Sequence, residues 1–314
     1  MRILVLGAGA VGGYFAGRLV EAGTADVTFL VRPGRKAQLD RDGLVVESPV
    51  YGDFRVKVQT VLAEALKPGW DIVLLSAKAY DLEGAIAAIR PAMAGGAAVL
   101  PVLNGLSHIE DLKRAFGPAN VLGGVAQIAA TLTPDGTIRQ LSPLLGLQFG
   151  ELDGTMSDRV QALAGAYAPT PVKAVAVPDI IGAMWSKLVF LGTLAAATVM
   201  MRANLGEIAA APGGVEWISR LLDSNIAVAA AHGHPPKAEV IENYRRVLRE
   251  NTTTTASMLR DLESGGRIEA DHILGYLLHT AREVGVDSTV QEAAYIHVKA
   301  YEARRAAGRL PPPA

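Results

Sequence analysis

The residues able to do chemistry begin at position 7. Gly7-Ala8-Gly9-Ala10-Val11-Gly12 spells G-x-G-x-x-G, with the apolar run Ile3–Leu6 before it, a helical pattern after it and a second apolar run from Val27. A lone glycine run says little. In this setting Gly7 permits a tight turn, Gly9 lets the backbone approach a pyrophosphate, and Gly12 lets the helix pack on the strand. The helix that follows Ala8, Ala10 and Val11 offers unpaired N–H groups and a positive dipole end to phosphates. The second strand, Val27–Val31, ends on Arg32, followed by Arg35 and Lys36, where an NAD site would carry Asp or Glu. A guanidinium fork pairs with phosphate oxygens, so Arg32 points to NADP(H); three solvated loop cations are the plainer alternative.

Further polar residues follow apolar runs. Leu74-Leu75-Ser76-Ala77-Lys78 and Val102-Leu103-Asn104-Gly105 place Lys78 and Asn104 at carboxyl ends of strands, where open parallel sheets bind ligands. Taken singly, an exposed Lys opening a helix and an Asn-Gly turn explain them as well; their matched placement favours function. Lys187 precedes a long apolar stretch, and by itself reads as a snorkelling lysine at a domain edge. Thr252–Thr255 precede Ser257, which by itself is a helix-surface hydroxyl, and Glu269 reads as a carboxylate stabilising a helix start.

The elements that must carry these residues divide the chain. With 314 residues, half of them hydrophobic, two domains with ample cores are expected. The balance of 30 Lys+Arg against 31 Asp+Glu, net charge −1, gives no electrostatic reason to bind nucleic acid or a membrane surface. The absence of cysteine excludes disulfides, thiolate catalysis and Cys-based metal sites. His232-Gly-His234 is the sole close histidine pair, and no metal is needed. The apolar N-terminus is too short for a signal-peptide core, and Leu188–Met201 is too short to span a bilayer, so a cytoplasmic protein is expected.

Apolar runs at Ile3–Leu6, Val27–Val31, Ile72–Ser76 and Ala97–Leu103 alternate with helical patterns near Val11–Ala22, Leu82–Ile89 and Ile109–Phe116. This predicts βαβ units in a parallel sheet, with further strands at Phe54–Val58, Ile138–Leu141 and Leu145–Phe149. Beyond residue 178 the pattern is helical: Ile180–Met201, Val215–Ala231, Ala238–Leu262, Asp271–Val284 and Thr289–Ala307, with a loose tail at Pro311–Pro313. The expected fold class is α/β. A Rossmann-type, doubly wound domain over residues 1–178 precedes an all-helical domain over residues 179–314, with a cleft between them.

The combination resembles the ketopantoate reductases (2-dehydropantoate 2-reductases) and their superfamily over essentially the whole chain. The matching pieces are Gly7-x-Gly9-x-x-Gly12, Arg32, Ala77-Lys78-Ala79, Asn104-Gly105, Trp185-x-Lys187-Leu188, Thr198, Gly206-Glu207, Ser257-Met258-Leu259, and Glu269-x-Asp271 with Gly275. The resemblance implies NADPH-dependent reduction of a 2-oxo acid to a (R)-2-hydroxy acid, nominally 2-dehydropantoate to pantoate in pantothenate biosynthesis. It implies Lys187 as general acid, Glu269 orienting the reacting hydroxyl or the Lys, Ser257 at the substrate carboxylate region, and Thr254 among the substrate-binding residues. Lys78 and Asn104 would line the nicotinamide end, Asn104 touching substrate too, and Ala130 would contact the cofactor. A small-molecule 2-oxo acid is the partner implied, and a homodimer is compatible with it. The chemistry also fits on its own terms: an ammonium stabilises charge developing on a carbonyl oxygen and supplies the proton. Desolvation would depress such a lysine's pKa, and a neighbouring Glu would oppose that shift.

The chain also departs from the family pattern. Leu191 and Ala195 stand one and two turns after Lys187 where Asn is usual, and Thr254 stands where another Asn is expected. A further Asn near Gly206-Glu207 is either Asn204, shifted by one, or replaced by Leu205. The pocket implied is more apolar than usual, which suits a rival reading, a reductase or D-2-hydroxy acid dehydrogenase of the same superfamily acting on a branched or aryl 2-oxo acid. A third reading keeps the fold as a non-catalytic NADP(H)-binding protein.

Overall fold

The computed structural model describes residues 1–250 and 252–310, so the expected Pro311–Pro313 tail lies outside the described residues. The chain forms two compact units. One comprises residues 1–103 and 108–180, the other residues 104–107 and 181–314.

The first unit holds ten strands: β1 (Arg2–Leu6), β2 (Asp26–Leu30), β3 (Leu44–Glu47), β4 (Phe54–Val56), β5 (Gln59–Val61), β6 (Ile72–Leu75), β7 (Ala98–Pro101), β8 (Leu122–Leu132), β9 (Ile138–Glu151) and β10 (Lys173–Ala176). Its helices are α1 (Ala10–Ala22), α2 (Pro33–Asp42), α3 (Leu82–Met93), α4 (Ser107–Phe116), whose first residue belongs to the other unit, and α5 (Asp158–Tyr167). Parallel pairing gives one sheet in the order β5-β2-β1-β6-β7. Its central strands are apolar on consecutive residues because both faces are covered. The chain moves outward from β1 to β2 and β5, then restarts at β6, so the strand order reverses beside β1. Such a switch point opens a crevice at the carboxyl ends of the strands. A second sheet runs β10-β9-β3-β4, with β8 antiparallel on β9.

Helix α1 is packed from both sides, which its small residues allow. A Cβ at Gly12 would lie 2.2 Å from Ser76 Oγ, just past β6. At Gly13 it would lie 2.4 Å from Ile138 Cδ1, and at Gly17 2.8 Å from Leu44 Cδ2, both in the second sheet. One continuous core, including Tyr14, Phe15, Leu44, Ile138 and Phe149, joins the two sheets through this helix.

The second unit is built on α6 (Ile180–Met201), with α7 (Leu205–Ala210), α8 (Gly214–Ala231), α9 (Ala238–Arg249) and α10 (Ser257–Glu263). A π-helical turn at Asp271–Gly275 leads into α11 (Tyr276–Glu283), and α12 (Thr289–Ala306) closes the unit. Helix α6 is long and apolar enough to cross a membrane, but 61% of its apolar window is buried inside the protein. A helix apolar on every side is what a surrounded core position requires. Gly192 lets Leu277 of α11 close on α6, since a Cβ there would lie 2.1 Å from Leu277 Cδ1. Buried amides pin α6, α8 and α12 together: Asn225 Nδ2 donates to Thr193 Oγ1 at 2.9 Å, and Gln291 Nε2 donates to Asn225 Oδ1 at 3.1 Å.

Three expectations are corrected. Residues 138–151 form one strand, not two. Its ladder with β8 slips between Ile128, opposite Leu145, and Ala130, opposite Gln140, so Ser142 and Pro143 fall in a bulge where no ladder N–H is demanded. Residues 238–262 form two helices rather than one. The carbonyls of Thr252 and Thr254 accept from the N–H groups of Gly206 and Leu205, and this tertiary pairing replaces a helical ladder. Arg35 and Lys36 lie on helix α2 rather than in a loop.

Candidate functional site

In the first unit the glycine turn stands at the switch point. Gly7 has φ +84° and donates its N–H to Leu30 O at 2.9 Å, tying the turn to the end of β2. Gly9 is the N-cap of α1, no side chain caps the helix, and the space where its Cβ would sit is open. An uncapped N-terminus on a 13-residue helix, approachable at Gly9, fits the pyrophosphate of a dinucleotide. Gly12 meets Ser76, whose hydroxyl donates to Leu6 O at 3.2 Å and ties β6 to β1. Ala8, Ala10 and Val11 complete the turn. Lys78, half-buried, follows Ser76 by two residues at the mouth of the same switch point. Ala130 lies beyond the β8 slip, opposite Gln140 and against the core of this unit.

The three cations after β2 have separate fates. Lys36 Nζ donates to Asp40 Oδ2 and Thr60 Oγ1, both at 2.9 Å. Arg35 turns inward to backbone carbonyls. Arg32 caps α2 in extended conformation and is exposed; its carbonyl accepts the Lys36 N–H at 3.0 Å, while its guanidinium makes no hydrogen bond or ion pair among the described residues. Of the three, Arg32 is the one whose charged end is left available to an anion.

The second unit holds Lys187, Glu269, Asn104, Thr254 and Ser257. Lys187 is on the second turn of α6; the residue is half-buried, but its amine is surrounded by protein. Desolvation lowers the amine's pKa to about 8, and the charge of Glu269 opposes that shift. Glu269 is 6% exposed and sits just ahead of the π-helical turn. Asp271, two residues on, is committed elsewhere: Tyr295 Oη and Lys299 Nζ donate to it at 2.5 and 2.9 Å, and their bonds hold its carboxyl below the usual range. Trp185, two residues before Lys187, stacks on His232 at 5.2 Å between ring centres and lies 6.0 Å from Tyr276.

Asn104 reaches the same neighbourhood through its chain neighbours. Gly105 has φ +87°, and a Cβ there would lie 2.9 Å from His272 O; Ser107 Oγ pairs with His272 Nδ1 at 2.6 Å. The segment is therefore seated three residues after Glu269. Ser257 opens α10, next to Ala256, whose N–H donates to Thr198 Oγ1 at 3.4 Å. Thr198 is about 16 Å along α6 from Lys187 at 1.5 Å per residue. Leu191 and Ala195 occupy the helix face between them. Ala195 is fully buried. Thr254 is exposed, its hydroxyl paired with that of Thr252 at 2.8 Å. Asn204 is a structural cap: its side chain accepts from the Glu207 N–H at 2.9 Å while Glu207 Oε2 accepts from the Asn204 N–H at 2.8 Å.

Sequence reasoning missed Ser76, Ser107 and His272. A hydroxyl at a strand end and a histidine in a helix carry no local signal, and only the tertiary contacts give them a place.

The family profile described as ketopantoate reductase PanE/ApbA matches residues 3–154, and its C-terminal counterpart matches residues 179–302. An oxidoreductase of Bacillus subtilis (strain 168), YkpB, is 34% identical over 97% of this chain and all of its own length. The 2-dehydropantoate 2-reductase of Archaeoglobus fulgidus is 28% identical, covering 92% of this chain and 94% of that protein. The crystal structure of 2-dehydropantoate 2-reductase from Methylococcus capsulatus superposes with a TM-score of 0.87 at 27% identity, covering 97% of this chain and 98% of that one.

Proposed function

Since the chain belongs to the ketopantoate reductase family, and is with it a pyridine-nucleotide-dependent 2-oxo acid reductase, we propose that it uses NADPH and forms the (R)-2-hydroxy acid, with ketopantoate as the nominal substrate. The observation that carries this reading is Lys187, a desolvated amine whose pKa is drawn down to about 8 beside the carboxylate of Glu269. A proton donor works best with a pKa near the working pH, and an ordinary lysine is far above it.

The turn Gly7–Gly12 holds the pyrophosphate on the N-terminus of α1, and Arg32 takes the 2′-phosphate. When bound, the reduced nicotinamide supplies the hydride. Lys187 hydrogen-bonds the ketone oxygen, stabilises the negative charge that grows there, and gives up its proton. Glu269 holds the ammonium in place and favours its charged form until transfer. Ser257 binds the carboxylate region, Asn104 orients the reacting end, and Lys78 and Ala130 line the nucleotide.

A second substrate reading has its own support. With Leu191 and Ala195 on the face of α6 beyond Lys187, that face offers no side-chain amide to substrate hydroxyls. Each missing hydrogen bond is worth about 0.5–1.5 kcal/mol, enough in combination to favour an apolar or aryl 2-oxo acid. Steady-state rates with NADPH on ketopantoate and on phenylpyruvate test both. Higher kcat/KM on ketopantoate supports the nominal substrate, and higher kcat/KM on phenylpyruvate replaces it. Binding of NADPH without turnover of any 2-oxo acid would leave a non-catalytic nucleotide-binding protein.

A further inference from the structure

We propose that Arg35 is a positioning residue for the nucleotide, acting through the glycine turn rather than on the ligand. Arg35 Nη2 donates to Ala8 O at 2.9 Å, inside the G-x-G-x-x-G turn. Its Nη1 donates to Gly136 O at 3.0 Å and to Gln38 Oε1 at 2.6 Å. The guanidinium thus ties three pieces distant in sequence: the glycine turn, helix α2, and the hairpin turn joining β8 to β9.

The geometry at Ala8 has a direct consequence. In a trans peptide the carbonyl and the next N–H lie in one plane and point in opposite directions. A donor fixed on Ala8 O therefore fixes where the Gly9 N–H points. Without it the Ala8–Gly9 peptide, flanked by an unhindered glycine, can rotate and turn its oxygen toward the anion site. A cation behind the carbonyl also polarises the peptide and makes its N–H a better donor.

The seat for Arg35 is built in detail. Gly136 has φ +84°, and a Cβ there would lie 2.3 Å from Arg35 Nη1 and 2.1 Å from Gln38 Nε2. The hairpin is locked by Thr133 N–H donating to Thr137 O at 2.9 Å and Gly136 N–H to Thr133 O at 2.8 Å. Gln38 Nε2 also donates to Asp135 O. Lysine has no fork with which to bridge Ala8 and Gly136 together.

This inference rests on the nucleotide-binding reading and is tested by affinities alone, in the full-length protein. NADPH, NADH and adenosine 2′-monophosphate are titrated into the wild type, Arg35→Met, Arg35→Lys and Gly136→Ala. The 2′-monophosphate carries the phosphate that Arg32 reads but no pyrophosphate. Arg35→Met is expected to weaken NADPH and NADH by the same factor, about tenfold, and to leave the 2′-monophosphate unchanged. Arg35→Lys is expected to recover part of the loss. Gly136→Ala keeps Arg35 but fills its seat, and should shift both dinucleotides together by a smaller factor. Should Arg35→Met fail to fold, Arg35→Lys and Gly136→Ala carry the same reading. Selective loss of NADPH together with the 2′-monophosphate would make Arg35 a phosphate contact and overturn the proposal, as would unchanged affinities. A wild-type protein that binds neither dinucleotide would instead sink the nucleotide reading, and the proposal with it.

Discussion

Helices α1 and α6 are both buried, and they do opposite kinds of work. Helix α1 is thinned by Gly12, Gly13 and Gly17 so that two sheets can close on it, and what it offers a ligand is bare backbone at its N-terminus. Helix α6 is thick with apolar side chains, and what it offers is one amine whose chemistry is set by its surroundings. Backbone recognition depends on small residues at fixed spacing. Tuning a side chain for catalysis depends on partners that arrive from far along the chain, as the charge of Glu269 acts on Lys187. The first fails when something is added, the second when something is removed.

The sharpest way to test that contrast is Lys187→Ala. Turnover should fall by about 10²–10⁴-fold, the scale for losing a general acid, while NADPH affinity stays nearly intact. Unchanged turnover would remove Lys187 from the reaction. Next in size is Arg32→Ala, expected to weaken NADPH by roughly 10–100-fold, the loss of a charge-assisted pair, and to leave NADH nearly unaffected. Equal effects on both dinucleotides would refute the 2′-phosphate assignment.

Gly12→Ala should act by addition. Its methyl meets Ser76 Oγ at 2.2 Å, so stability should drop by about 1–3 kcal/mol, read by thermal melting, with nucleotide affinity falling alongside. Adding Ser76→Gly should restore part of both; no rescue would mean the damage lies elsewhere. The smallest effect is on the pH profile. In the proposed reaction the protonated form of Lys187 is the acid, so with its pKa lowered to about 8 the reduction rate should fall as pH rises through about 8. The oxidation rate, which needs the neutral amine, should rise over the same range. Glu269 holds the proton on, so Glu269→Gln should move the midpoint of both curves downward. A midpoint that moved upward would contradict the role given to Glu269.

Legibility in the sequence follows the same division. The glycine turn was readable because its signal is local: strand, spaced glycines, helix, all within twenty residues. The central strands and α6 were readable because burial on every side leaves continuous apolar runs. Helix α2 was not, since Leu39 is its sole buried residue and Pro33-Gly34 opens it like a turn. The bulge in β9 and the break between α9 and α10 depend on contacts with β8 and α7 that no local window contains. Among the candidate residues, Arg32, Arg35 and Lys36 look interchangeable as three nearby cations. Only their different side-chain hydrogen bonds separate Arg32, whose guanidinium has none among the described residues, from a strut and a surface pair. Lys187 and Glu269 gave weak signals alone and gained meaning through resemblance to a family.

The four residues 104–107 group with the helical unit although the chain on both sides of them belongs to the other. During synthesis from the N-terminus, Ser107 emerges 165 residues ahead of His272, its hydrogen-bond partner. The nucleotide-binding half can complete its sheets on the ribosome, yet this short stretch must wait for almost the entire remaining polypeptide before it finds its seat. A fragment ending at residue 180 would carry Gly105 and Ser107 with nothing to rest on, and Asn104 with them.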